Sequence, residues 1–159
     1  MNIKNVTLWS KEIIEEINDS FHDACKSGDL AKVKNFLSIR KNEPKAEINS
    51  NNNFGFILAC AGGHLEVVRY LLEDKKLKGK IGIQDYDDAA FKVAADFFNI
   101  NILQYFIFEC GIEKTNEIEI YLKKRNKHEI ENLFTLREIN FNLTNNLKQE
   151  IIELKKSKI

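Results

Sequence analysis

The fold is decided by residues 56–72, which read FILACAGGHLEVVRYLL. A first apolar segment carries the small pair Ala59-Cys60 and ends at two glycines, of which Gly63 suits a left-handed turn. A second segment follows, with apolar residues at the i, i+3, i+4 spacing of an amphipathic helix counted from Val68. The stretch therefore predicts two short helices joined by a tight turn. The small pair allows the first helix to pack closely against a neighbour.

The same pattern occurs three times at an interval of 35 residues. Phe56 has counterparts at Phe21 and Phe91, and the alignment needs no gaps. Chance does not place aromatic, small and aliphatic residues in matching positions three times, so the chain contains an internal repeat. The stretches between the repeats, residues 38–53 and 73–88, are polar and predict loops. The other matching sets are Ala24/Ala59/Ala94, Cys25/Cys60/Ala95 and Val33/Val68/Leu103.

Residues 58–72 resemble the ankyrin repeat, with its small-residue pair, its Gly-His turn and its second helix of Val-Val-x-x-Leu-Leu type. The resemblance covers residues 20–112 and continues weakly to 134. It implies an all-α solenoid of helical repeats. The Thr-Pro-Leu-His opening and the Asp-x-x-Gly hairpin of the family are absent, which predicts irregular loops in place of regular β-hairpins. The tetratricopeptide repeat fits worse, because the two helices span only about 17 residues of each unit.

The repeats leave two ends that a solenoid has to cover. Ser20, followed by Asp23, predicts the start of the first repeat helix. The C-terminal segment carries apolar residues at helical spacing and predicts a cap helix; the alternatives are a docking helix for a partner or a homodimer contact. We expect one domain, made of an N-terminal cap helix (1–19), three repeats (20–53, 54–88 and 89–115), a degenerate fourth repeat (116–139) and a C-terminal cap helix (140–159).

The composition excludes several classes of function. The chain has 159 residues, and its 24 Lys plus Arg balance 24 Asp plus Glu, so it lacks the basic excess that is typical of nucleic-acid binders. No apolar run reaches the roughly 20 residues of a membrane helix. The N-terminus has no apolar region typical of a secretory signal. Three Cys without a CxxC motif indicate a reducing compartment, so we expect a cytoplasmic protein, or one exported into a host cell.

Two His/Cys pairs have a spacing that metal sites use. His22 and Cys25 are spaced i, i+3, and Cys60 and His64 are spaced i, i+4, which places each pair on one helix face. The Cys position holds Ala95 in the third repeat, so we interpret it as a packing position. The resemblance implies a structural role for the His positions. We therefore predict no metal.

Cys110 and His128 are the residues that come nearest to a catalytic pair. Cys110 precedes Gly111-Ile112, which indicates a helix C-terminus, and His128 follows the Lys-rich turn at 123–127. A catalytic Cys needs a positioned His and an electropositive pocket. We predict a non-catalytic protein without a cofactor, and we interpret the basic stretches 75–80 and 123–127 as solvated loops. The alternative is an enzyme or a small-molecule binder built on the repeat stack.

The resemblance implies that a partner protein binds to the loop tips and to the exposed end of each first helix. Phe97 is aromatic where the other repeats have polar or small residues, which favours an interface anchor. We expect Tyr86 next to it in an acidic loop tip, and Phe97 or Phe98 folded into the stack in place of the missing turn Gly. The predicted partner-binding residues are Lys26, Ser27, Asn52, Asn53, Asp85, Tyr86, Asp96 and Phe97.

The sequence thus predicts a monomeric, non-catalytic module whose partner is a protein, and neither nucleic acid nor a membrane. Divergent repeats of this kind resemble those of ankyrin proteins from intracellular bacteria and large viruses. A bacterial effector or a viral host-interaction protein is the setting that this resemblance implies.

Overall fold

The computed structural model describes residues 9–38 and 43–156. The chain forms two compact units, residues 1–102 and residues 103–159. All regular structure in the described residues is helical, which confirms the all-α prediction. Within the same residues, no helix is both long enough and apolar enough to span a membrane.

The first unit is a stack of helix pairs. The first helices of the three repeats, α1, α3 and α5, pack side by side in that order, and α2 and α4 lie against α1 and α3 respectively. The helices are α1 (Lys11–Ser27), α2 (Leu30–Leu37), α3 (Ser50–Ala61), α4 (Leu65–Glu73), α5 (Asp85–Asp96) and α6 (Ile100–Gln104).

A core with the 35-residue period holds this stack together. Phe21, Phe56 and Phe91 are at most 1% exposed, and burying a side chain of that size contributes about 2–3 kcal/mol. Beside each Phe lies the small pair, which lets neighbouring first helices approach closely. Its members are all buried: Ala24, Cys25, Ala59, Cys60, Ala94 and Ala95.

Each first helix ends in the same left-handed turn. Gly28, Gly63 and Phe98 occupy the turn position with φ values of 74°, 75° and 58°. In all three repeats the next backbone amide donates to the carbonyl five residues earlier, at 2.9–3.0 Å. An L-residue in this conformation costs about 1–2 kcal/mol. Phe98 therefore adopts a geometry that suits glycine better.

The first turns of α3 and α5 share an unusual, non-helical backbone. Asn51–Asn53 have φ values of 48–62°, and Tyr86–Asp88, 35 residues later, have φ values of 53–60°. Asn and Asp tolerate this left-handed region better than most residues do. None of the described residues lies in a strand, so these turns stand where regular ankyrin repeats have β-hairpins.

The second unit consists of a π-helical turn (Tyr105–Glu109), α7 (Asn116–Lys124) and α8 (His128–Lys156). Gly111 follows the turn with a φ of 71°, and the Ile112 amide donates to the Phe106 carbonyl at 3.0 Å. The helix end predicted at this place is confirmed. The unit packs around side chains that are at most 4% exposed: Phe106, Ile107, Ile118, Leu122, Ile130 and Phe134.

Two predicted helix boundaries are absent. Helix α1 passes through Ser20 without a break, so the described part of the N-terminal cap segment and the first repeat helix are one helix. Its N-cap is Ser10, whose Oγ accepts a hydrogen bond from the Ile13 amide at 3.4 Å. Residues 1–8 of the predicted cap lie outside the described residues. Helix α8 likewise runs through residue 140, because Leu136 and Leu143 continue the same helical face without a breaker.

Candidate partner-binding surface

The ends of the first helices expose two neighbouring residues in each repeat. These are the positions after the small pair, and their exposure was predicted. Phe97, at the end of α5, is the aromatic residue at these positions, and its exposed fraction is 66%. The exposed row consists of Lys26 and Ser27 at the end of α1, the partly exposed Ala61 and the exposed Gly62 at the end of α3, and Asp96 and Phe97 at the end of α5.

Side chains from the next repeat hold these helix ends in place. His64 Nε2 donates to the Lys26 carbonyl at 2.9 Å. Asn99, which is 35 residues after His64, donates through Nδ2 to the Ala61 carbonyl at 2.9 Å and to the Cys60 carbonyl at 2.7 Å. The last carbonyls of a helix lack partners within it, and these side chains supply donors to them; the Cys60 carbonyl also accepts a hydrogen bond from the Gly63 amide at 3.3 Å. The ends of α1 and α3 are therefore fixed to the repeat that follows each of them.

His22 is also tied into the stack. Its Nε2 lies 2.9 Å from Ser50 Oγ, and its ring meets the Phe54 ring edge-on at 5.3 Å. The imidazole is buried, and this burial lowers its pKa, while the nearby carboxylates of Asp19 and Asp23 act in the opposite direction. The contacts of His22 and His64 thus support the structural roles that the resemblance implied.

The cysteines of the small pairs are buried thiols. Burial raises the pKa of Cys25 to about 12 and raises the pKa of Cys60 well above its usual range. The thiolate is the nucleophilic form of cysteine, so neither side chain is poised for attack at neutral pH. In the described ranges, no three His, Cys, Asp or Glu side chains are grouped so as to hold a metal ion.

Cys110 and His128, the other candidate pair, are both exposed. His128 Nδ1 lies 3.0 Å from Glu131 Oε2, within its own helix. Its visible partner is therefore a carboxylate three residues away.

One predicted contact residue is wrong, because Asn53 is only 3% exposed. Its Nδ2 donates to Asp85 Oδ2 at 2.9 Å, and the same oxygen accepts a hydrogen bond from the Gly82 amide at 2.6 Å. Asn53 is thus occupied in joining two repeats, while Asn52 beside it stays exposed. Asp85 is exposed, but one of its oxygens has this structural use.

A periodic signal in the sequence marks this buried polar position. Asn18, Asn53 and Asp88 lie 35 residues apart, and each is at most 8% exposed. Asn18 Oδ1 accepts a hydrogen bond from the Glu47 amide at 2.8 Å. A polar residue that recurs at a repeat position just before the buried Phe indicates a loop anchor. The apolar pattern alone does not reveal this anchor.

The aromatic residues differ from expectation in two ways. Phe97 and Phe98 are 66% and 46% exposed, so neither folds into the stack. The buried face of α5 already carries Phe91, and Phe97 lies about 120° around the helix from it. Tyr86 is also exposed, but it stands at the opposite end of α5. The helical residues 89–96, which lie between Tyr86 and Phe97, span about 12 Å. The two aromatic residues therefore do not form one cluster.

A sequence model of ankyrin repeats in three copies matches residues 21–118, more than half of the chain. The chain belongs to the ankyrin repeat family. No curated protein and no solved structure matches it. Ankyrin repeats are generally protein–protein interaction modules and are typically non-catalytic, so the family agrees with the predicted class of function.

In this ankyrin stack the exposed row is chemically graded. Lys26 and Ser27 line an open groove of about 680 Å³ on the first repeat, together with Asp23, Lys32 and Phe36. The second repeat is neutral at the row, because its residues are Ala61 and Gly62. A Cβ at Gly62 would lie 2.5 Å from the His64 ring, so this position has no room for a larger residue unless the ring moves. The third repeat ends the row with an acidic and an aromatic side chain.

Proposed function

We propose that this ankyrin repeat protein is a non-catalytic module that binds a partner protein through the graded row at the ends of α1, α3 and α5. One observation carries the proposal. Exposed residue pairs recur at 35-residue intervals, and two of the helix ends that bear them, those of α1 and α3, are tied by His64 and Asn99 to the next repeat. Because the row is ordered before binding, little conformational entropy is lost when a partner docks.

The side chains of the row indicate what the partner presents. Lys26 favours an acidic group at the first repeat, and Asp96 favours a basic group at the third. Phe97, which follows Asp96 at the end of α5, supplies the apolar anchor, since aromatic side chains dominate binding hot spots. Asn52 and Tyr86, at the loop tips, extend the proposed contact area on the side where α3 and α5 begin.

The cellular setting is part of the same proposal. The thiols of Cys25 and Cys60 are held buried and protonated, and free thiols persist in reducing compartments. We place the protein in a cytoplasm, its own or that of a host. An effector or host-interaction role follows from the family resemblance of its divergent repeats.

The experiment is affinity capture with the full chain as bait, followed by measurement of binding to the captured protein. Phe97→Ala is expected to weaken binding at least tenfold, the effect of losing one hot-spot aromatic. Phe141→Ala is the matched control, because Phe141 is also 66% exposed but lies in the second unit on α8. Equal affinity of both variants and the wild type would show that the row is not the binding surface.

Charge variants separate the two ends of the row. Lys26→Glu and Asp96→Lys each weaken binding if the partner carries the complementary charges, and the loss shrinks at high salt because exposed charges are screened. Binding that is insensitive to both changes contradicts the proposed grading even where Phe97 proves essential.

A further inference from the structure

Helix α8 carries an exposed apolar face along most of its length. We call this face the α8 stripe; its side chains are 48–61% exposed. Soluble chains seldom expose so many large aliphatic residues in one row unless the row binds something. The stripe consists of Leu136, Ile139, Leu143, Leu147, Ile151 and Leu154.

The spacing of the stripe matches helix-to-helix packing. Leu136 and Leu147 are 11 residues apart, and so are Leu143 and Leu154. An 11-residue repeat gives about 3.67 residues per turn, which keeps the row close to parallel with the helix axis. The row spans about 27 Å at 1.5 Å per residue. Phe134, which packs inside the second unit, lies about 160° around the helix from Leu136, so the stripe faces away from that core.

Opposite charges flank the two sides of the stripe. At 100° per residue, Lys148 and Lys155 fall about 100–120° to one side of its centre, and Glu153 falls about 100° to the other side. Glu150 lies about 40° from the centre, between Ile139 and Leu143. In two-stranded helical pairs such flanking charges determine partner choice and orientation. One side is basic and the other is acidic, so the face is complementary to itself.

We propose that the α8 stripe is a self-association surface that pairs with the same stripe of a second copy, with the two helices parallel. In a parallel pair each basic flank faces the acidic flank of the other copy, which brings Lys155 near the Glu153 position of its mate, about 3 Å away along the helix axis. An antiparallel pair would place basic flank against basic flank and bring Arg137 near the Lys155 position. The flanking charges therefore select a second copy and its direction.

The available area fits a modest dimer. Six half-exposed aliphatic side chains and their flanking stems bury on the order of 500 Å² per copy, hence roughly 1,000 Å² for the pair, near the lower limit of specific interfaces. Because interfaces of about 1,600 Å² already range from micromolar to picomolar affinity, we expect this smaller one to associate at micromolar concentrations. The expectation of a monomer from the sequence holds only below that range.

Light scattering across concentration tests the association with the full chain. The mass is expected to rise from 18.5 kDa towards twice that value between about 5 and about 500 µM. Leu143→Glu/Leu147→Glu should remain monomeric throughout, with unchanged helicity because Glu is a good helix former. Phe141→Glu is the control, since Phe141 is exposed on α8 outside the stripe and should dimerise as the wild type does. A wild type that stays at 18.5 kDa, or a control that fails as the double variant does, overturns the proposal.

Charge reversal and cross-linking test whether the two α8 helices run parallel. Lys155→Glu and Glu153→Lys should each weaken the dimer, and the two changes together should restore it. In a Cys110→Ser background, Leu154→Cys should form a disulfide between copies, since equal positions meet only in the parallel pair. In an antiparallel pair centred on residue 145 those positions lie about 27 Å apart. A dimer without this cross-link, or without rescue in the double reversal, overturns the parallel arrangement.

This surface is separate from the partner-binding row of the first unit. Phe97→Ala should leave the mass curve unchanged, whereas Leu143→Glu/Leu147→Glu should leave the affinity of a single copy for its partner unchanged. Failure of one proposal is thus visible apart from failure of the other.

Discussion

The joint between the first and second repeats and the joint between the second and third use the same positions with different chemistry. In the first joint an imidazole, His64, donates to the preceding helix end, and a second imidazole, His22, is bonded to a loop hydroxyl. In the second joint the amide of Asn99 takes the place of His64, and Asn53 bonds the Asp85 carboxylate. The comparison teaches that the repeat conserves a position and a hydrogen-bond direction. Any side chain at this position that can donate a hydrogen bond to the carbonyls of the preceding helix end can make the joint.

The largest difference is expected when the donor of each joint is removed. Asn99→Ala loses two hydrogen bonds, one to the Ala61 carbonyl and one to the Cys60 carbonyl, which keeps its bond from the Gly63 amide, at a loss of about 1–3 kcal/mol in the free energy of unfolding. His64→Ala loses one bond, to the Lys26 carbonyl, and about half as much. Urea denaturation monitored by circular dichroism measures both. A larger loss for His64→Ala would show that ring packing, and not the bond count, decides the strength of a joint.

A smaller effect is expected at the turn that precedes each donor. Gly63 suits the left-handed turn of the first joint, whereas Phe98 is forced into it at a φ of 58°. Phe98→Gly should therefore raise the stability by about 1 kcal/mol. Its neighbour Phe97 has a φ of −85°, so Phe97→Gly serves as the control and should lower the stability. Thermal unfolding of the two variants decides the matter, and a shift in the same direction for both would refute the strain argument.

The smallest expected effect is that of pH on the free energy of unfolding. It concerns only the joint between the first and second repeats, because that joint contains His22. Because burial holds the pKa of His22 below its ordinary value, the unfolded chain takes up a proton near pH 6.5 that the folded chain resists. The stabilisation from the neutral ring is complete above about pH 6.5 and declines as the pH falls towards the lower folded pKa. Denaturation midpoints between about pH 7.5 and pH 5 should therefore decrease.

His22→Gln removes the titration, so its midpoint should change less over the same range. The window is separate from that of the carboxylates. A hydrogen bond from the Lys32 amide lowers the pKa of Asp29, and such a group loses its stabilisation only below about pH 4. An equal slope in the wild type and in His22→Gln would exclude His22 as the source.

Much of the architecture could be predicted because it is encoded locally. The positions of Phe21, Phe56 and Phe91, the small pairs beside them and the turn at Gly63 all follow from one periodic pattern, and the structure buries or bends each of them as predicted. The boundary at Ser20 could not be located in this way. A capping residue inside a continuous apolar face does not interrupt a helix when packing supports both sides.

The candidate surface was predictable only in part. The exposed ends at Lys26 and Phe97 follow from repeat position alone. The burial of Asn53 does not, since its role depends on Asp85, a residue 32 positions away that stacking brings within 2.9 Å. The separation of Tyr86 from Phe97 likewise depends on how the left-handed start of α5 is built.

The sequence by itself determined that this chain repeats a helical unit, belongs to the all-α class and resembles the ankyrin family, because side-chain size and periodicity act over a few residues. Only the tertiary structure decided which polar side chains join the repeats, that both Phe97 and Phe98 face solvent, and that the apolar face of α8 is exposed. Apolar residues at helical spacing predict that one face of the helix is apolar. Whether anything covers that face depends on contacts between residues far apart in the chain.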